Sequence, residues 1–142
     1  MRYWDASALV PLVVSEPNSD LSRSWLADDS AVITWAWTRV EIVSAIERRT
    51  REGALSRQDR RQVIGRLETF ADTWDEVTEV LAVRSRASLL LARHPLRDAD
   101  AGQLGAALLI SEQLDGESLP FMCLDRRLSE AAELEGLGVL DW

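Results

Sequence analysis

Short apolar runs alternate along the chain with longer stretches in which apolar residues recur every three or four positions. Runs of the first kind suit buried strands and stretches of the second kind suit amphipathic helices. The first run, RYWD, predicts a strand over 2–5, and a helix follows from about 7 to 15, stopped near Pro17. A second helix near 19–28 precedes a strand, AVITW, at 31–35. The next helix covers roughly 37–52 and ends at Gly53, a residue suited to the left-handed turn on which many helices stop. SRQDRRQVIGRLETFADTW reads as another helix, with Ser56 as N-cap and Val63, Leu67 and Phe70 on its buried face. A short strand is expected near 77–80, and two helices flank the turn HPLRD at 94–98. PFMCLD, 120–125, is a fourth strand; a helix over 126–135 ends at Gly136, and GVLDW closes the sheet. Strands alternating with helices indicate an α/β fold around a parallel sheet.

No repeat, low-complexity tract or linker interrupts this pattern, so a single domain over 1–142 is expected. That length suffices to bury a real core. With 46% hydrophobic and 28% charged residues, the composition is that of a soluble globular protein. The longest apolar runs, such as SLLLA at 88–92, are too short to span a bilayer. MRYWDASALV has no basic segment leading into a long apolar run, and the lone Cys123 cannot form an internal disulfide. Together these features favour the cytoplasm.

The net charge of −8 argues against binding nucleic acid through a broad basic face. It is compatible with a nuclease, because a metal site is built from carboxylates and its cations offset their charge. All 16 basic residues other than His94 are arginines, and lysine is absent.

In parallel α/β sheets, ligands collect beyond the carboxyl ends of the strands. Asp5 and Asp125 both fall where a strand hands over to a helix, on one edge of the sheet if strands one and four are neighbours. Asp5 can act as a helix N-cap, but Ser7 can cap the same helix and would leave Asp5 free. Glu41 lies in WTRVEIVSAIERR, with Trp37, Thr38, Ser44 and Ala45 three or four positions away. None of these is basic, and a carboxylate among them is costly unless a cation meets it. Asp98 and Asp100 open the helix DADAGQLGAALLI. Asp98 suits the N-cap, which leaves Asp100 as a second acid in the first turn. Asp125 caps the next helix or joins the set. Four acids, Asp5, Glu41, Asp100 and Asp125, thus compose an oxygen-only donor set suited to Mg²⁺ or Mn²⁺ and to phosphodiester hydrolysis.

His94 precedes Pro95 and is expected at a helix end; Cys123 is expected in the core. The six tryptophans are mainly packing, although Trp35 and Trp37 lie close to Glu41. Arg39, Arg97 and Arg126 lie near proposed ligands and read individually as solvated charges. No phosphate-binding glycine loop, paired-cysteine zinc site or nucleophile-elbow serine is present.

WDASALV, TRVEIVSA, HPLRDADAGQLGAAL and FMCLDRRLSEAAELEG, in this order and spacing, resemble the motifs of the PIN-domain family, specifically its toxin (VapC-like) branch. The resemblance covers essentially the whole chain. It assigns the metal-binding acids to Asp5, Glu41, Asp100 and Asp125, with Asp100 rather than Asp98 as the third. Gln103 departs from the pattern, standing where toxin relatives often carry His. The resemblance implies a three-layer α/β/α fold, a Mg²⁺ or Mn²⁺ cofactor and endonucleolytic cleavage of RNA. It also implies a homodimer neutralised by a cognate antitoxin. A receiver domain and a dehalogenase-type phosphatase both rely on a lysine that this chain lacks. The remaining alternative is a PIN-like interaction module without catalysis, against which stands the presence of all four acids.

Overall fold

The computed structural model covers residues 1–142. Five parallel strands, β1 (Arg2–Trp4), β2 (Val32–Trp35), β3 (Asp75–Val77), β4 (Pro120–Met122) and β5 (Gly138–Val139), form one sheet in the order β3-β2-β1-β4-β5. Seven helices connect them: α1 (Ala6–Val13), α2 (Ser19–Asp28), α3 (Thr38–Arg51), α4 (Arg57–Ala71), α5 (Val80–Arg93), α6 (Asp98–Ser111) and α7 (Arg126–Leu134).

Successive residues of a strand point to opposite faces of the sheet. Trp4, Val32 and Met122 therefore join a core of 17 buried residues beneath α1 to α4. Their neighbours Tyr3, Ile33 and Phe121 join a second core of 16 with α5 to α7. Two cores of nearly equal size cover both faces, as a parallel sheet requires. The result is the expected three-layer α/β/α sandwich.

The chain builds outward from β1 through β2 to β3, then returns to place β4 on the other side of β1. This reversal makes a switch point between β1 and β4, where crevices open at the strands' carboxyl ends. Tyr3 pairs with Phe121 and Trp4 with Met122, and the Asp5 amide donates to the Met122 carbonyl at 3.0 Å. Asp5 and the loop carrying Asp125 are therefore neighbours.

The fold departs from the sequence expectation at the sheet's edges. The third strand is Asp75–Val77 rather than 77–80, paired with β2 from Ile33↔Asp75 to Trp35↔Val77. It is an edge strand whose exposed Asp75 and Glu76 obscure its apolar signal, while Trp74 and Val77 are its buried anchors. The last strand is limited to Gly138–Val139, and Leu140, Asp141 and Trp142 are exposed. Phe70 is only half-buried, set edge-on against Trp74. Ser56 caps α4 as expected, accepting from the Asp59 amide at 3.0 Å.

α6 is buried without interruption from Ala101 to Ala107. Small residues permit this. A Cβ on Gly102 would meet the Trp35 ring at 2.2 Å, and one on Gly105 would meet the Val83 carbonyl of α5 at 3.2 Å. α6 thus lies wedged between β2 and α5, with its N-terminal turn at the sheet's carboxyl edge.

Candidate active site

A cleft of about 350 Å³ opens at the switch point. Asp5, Glu41, Asp100 and Asp125 all line it, together with Ser7, Arg48 and Arg97. The four sequence-predicted acids, from four different segments of the chain, are thus brought together. Asp98 is exposed and does not line the cleft.

Each acid is held by a donor of its own, three of them within three residues along the chain and one from a distant helix. Asp5 is the N-cap of α1, accepting from the Ser7 amide at 2.9 Å and from the Ser7 hydroxyl at 2.5 Å. The expectation that Ser7 would cap in its place is corrected. The Ser7 hydroxyl instead ties Asp5 to the β4–α7 connection by accepting from the Leu124 amide at 2.8 Å. Asp125 caps α7, its Oδ1 accepting from the Leu128 amide at 2.9 Å. Capping and cleft lining are therefore compatible for both aspartates, since a cap uses only some of a carboxylate's lone pairs.

The cap position of α6 belongs to Arg97, without a side-chain cap bond, and Asp98 is the first helical residue. The expectation of Asp98 as N-cap is corrected. Asp100 is 16% exposed and paired with Arg97 at 3.4 Å. Glu41 is not left without a partner either. The Gln103 amide of α6 donates to its Oε1 at 3.0 Å. Trp37, expected beside Glu41, faces outward and is 58% exposed.

The electrostatics are those of crowded, partly dehydrated anions. Burial pushes the Glu41 carboxyl up to about 8, and the charges of Asp5, Asp100 and Asp98 add to this; only the Gln103 bond opposes them. Asp5, 4% exposed, is also raised, by burial above all, against the bonds from Ser7. The site therefore favours protons or a cation.

Two features of this site escaped sequence reasoning. Gln103 is fully buried and also bonded to Tyr3 and Thr38; the signal was a long amide on an otherwise small-residue helix face, three positions after Asp100. Arg48 shares the Glu41 face of α3, seven positions on, and lines the cleft. A pocket without apolar residues adjoins the cleft, lined by Arg97, Arg126, Arg127, Asp100 and Asp125. Arg39 pairs with Glu76 at 3.8 Å and reads as a surface charge. His94 ends α5, 2.7 Å from Glu135, and takes no part in the cleft. Cys123 is core, as expected, with burial raising its thiol far above the ordinary range.

The donor set fits a hard divalent cation: carboxylates only, without histidine or cysteine donors. As the side chains stand, no three of them converge into a ready-made cage. The reason is visible in the contacts above, where four acids turn to four separate donors. Carboxylates on one cleft repel one another, and a divalent cation bound among them would offset that repulsion.

The PIN domain family matches residues 2–134. Ribonuclease VapC35 of Mycobacterium tuberculosis, in strains H37Rv and CDC 1551, is 34% identical over 145 residues, covering 99% of this chain and 96% of the relative. The crystal structure of FitAcB from Neisseria gonorrhoeae shares the fold, with a TM-score of 0.68 and 18% identity over 99% of this chain and 97% of that one. A switch-point cleft lined by four acids, and a family match spanning nearly every element that builds it, agree: the chain belongs to the PIN-domain family.

Proposed function

We propose that this protein is a Mg²⁺- or Mn²⁺-dependent endoribonuclease and the toxin of a toxin–antitoxin pair. The observation that carries the reading is that Asp5, Glu41, Asp100 and Asp125 all line one cleft of a chain 34% identical to a ribonuclease. Asp5, Glu41, Asp100 and Asp125 would hold the cation. When bound, it supplies Lewis-acid stabilisation of the phosphoryl oxygens and an activated water.

The chain's own residues do the rest. Ser7 fixes Asp5 between β1 and β4. Arg48 and Arg97, which line the cleft, and Arg126 and Arg127, which line the adjoining pocket, offer positive charge to phosphates flanking the scissile one. An overall acidic protein can bind RNA this way because the arginines act locally, within about a Debye length of ~8 Å. The cognate antitoxin would occlude this cleft, and the toxin would act as a homodimer in the cytoplasm. No helix is long and apolar enough to cross a membrane.

The test is cleavage of a defined single-stranded RNA by the purified protein with Mn²⁺ or Mg²⁺. Activity is expected with metal and absent with EDTA, and Glu41→Gln is expected to lack it. Cleavage that persists in a metal-stripped sample overturns the metal assignment. RNA left intact at every metal concentration favours the interaction-module alternative.

A further inference from the structure

We propose that Gln103 is a positioning residue for Glu41: a buried hydrogen-bond chain from the sheet fixes its amide so that one Glu41 oxygen is held and the other is presented to a cation. This rests on the metal-site reading above and adds to it a residue that touches neither metal nor substrate.

The chain can be followed proton by proton. Thr34 of β2 has one hydroxyl proton. The Trp4 carbonyl, 2.6 Å away, can only accept it. The 2.7 Å bond between Thr34 and Thr38 is therefore completed by the Thr38 proton. With that proton committed, Thr38 Oγ1 accepts from Gln103 Nε2 at 2.8 Å. The Tyr3 hydroxyl, with its ring stacked on Phe121, donates to Gln103 Oε1 at 2.8 Å. Both ends of the amide thus have a partner, and the Nε2 end fixes its orientation. A flipped amide would set its oxygen against Thr38 Oγ1, whose proton is already committed, and against the Glu41 carboxylate, whereas the Tyr3 hydroxyl could accept from the NH₂. The second Nε2 proton is left for Glu41 Oε1, at 3.0 Å.

Tyr3, Thr34, Thr38 and Gln103 are 0% exposed, so water does not compete for these bonds. Glu41 is less enclosed and lines the cleft, and its Oε2 takes no hydrogen bond from the protein. One oxygen is tied to the core, and the other, free of protein donors, belongs to a residue that lines the cleft. Residues that orient metal ligands in this manner typically change metal affinity 10- to 100-fold when lost.

The experiment is a double-mutant cycle read in Mn²⁺ binding by calorimetry on the full chain, with Gln103→Leu, Glu41→Gln and both together. Gln103→Leu is expected to weaken Mn²⁺ binding about tenfold in the parent and less than about twofold in the Glu41→Gln background. Equal losses in the two backgrounds would show a general structural role and overturn the proposal, as would no loss in the parent. Should Gln103→Leu fail to fold, Tyr3→Phe keeps the stacked ring and removes only the bond to the amide oxygen. It is expected to weaken binding two- to threefold through Glu41 alone, and an unchanged affinity overturns the proposal. A parent that binds no Mn²⁺ overturns the metal site itself and this inference with it. A parent that binds Mn²⁺ without coupling between the two positions overturns this inference only.

Discussion

The ring of Trp35 occupies the space into which a side chain on residue 102 would grow, so that a Cβ on Gly102 would stand 2.2 Å from Trp35 Cζ3. Trp35 ends β2, and Gly102 lies between Asp100 and Gln103 on α6. Their contact sets how closely α6 approaches the sheet, and hence how far Asp100 and Gln103 reach toward Glu41.

Gly102→Ala is therefore expected to destabilise the fold by about 1–3 kcal/mol, as overpacking against a rigid ring does. RNA cleavage should fall more than tenfold. Gly65→Ala is the control. It lies within α4 with open space around its Cβ position, so it should be neutral or stabilise by up to about 1 kcal/mol through helix propensity. Thermal melts of both variants check this, and a harmless Gly102→Ala would mean that α6 is not set by Trp35.

The acidity of Glu41 makes a prediction about pH. Its carboxyl is raised to about 8 in the folded protein from an ordinary value of 4.5. Below the ordinary value it is protonated whether the chain is folded or not and imposes no penalty. As pH rises from about 4.5 to 8, the unfolded chain releases the proton and the folded one retains it, so stability falls; above about 8 the loss is complete. The metal-free protein should lose up to a few kcal/mol between pH 5 and 9 from this group. Glu41→Gln should flatten the profile across that window. Denaturant melts at several pH values decide, and a variant with the parent's slope would assign the dependence to other groups, Asp5 first among them.

Metal should raise the melting temperature, since a cation bound only by the native state stabilises it by mass action. The rise should grow from pH 6 to pH 8.5, because the ligands must release protons to bind. Scans at fixed Mn²⁺ measure it. A rise independent of pH would be hard to reconcile with Glu41 as a ligand.

Asp98 and Asp100 provide a matched comparison. Both stand in the first turn of α6, so Asn at either position removes a similar favourable interaction with the helix dipole. Asp100 lines the cleft and Asp98 does not. Asp100→Asn should nearly abolish RNA cleavage, whereas Asp98→Asn should retain most of it. A dead Asp98→Asn beside an active Asp100→Asn would move the metal-site assignment by two positions.

Much of this protein is determined locally. The helix signals at Ser56, Gly53 and Gly136 are short-range, and the structure follows them: Ser56 caps α4, while Gly53 and Gly136 carry positive φ. The alternation of strands and helices, and the two acids at the ends of β1 and β4, also depend only on nearby residues. The edge strands were least legible, because β3 pairs on one side only and needs no apolar run. What tertiary structure alone decided is which groups meet. No spacing along the chain brings Gln103 to Glu41, 62 positions away, or turns Ser7 from a helix cap into a brace between β1 and β4. Those contacts depend on the strand order, on the Trp35–Gly102 packing and on the exclusion of water from the Tyr3–Gln103–Thr38 chain. The sequence could place four carboxylates on the right segments; which donor each of them faces was settled by three-dimensional packing.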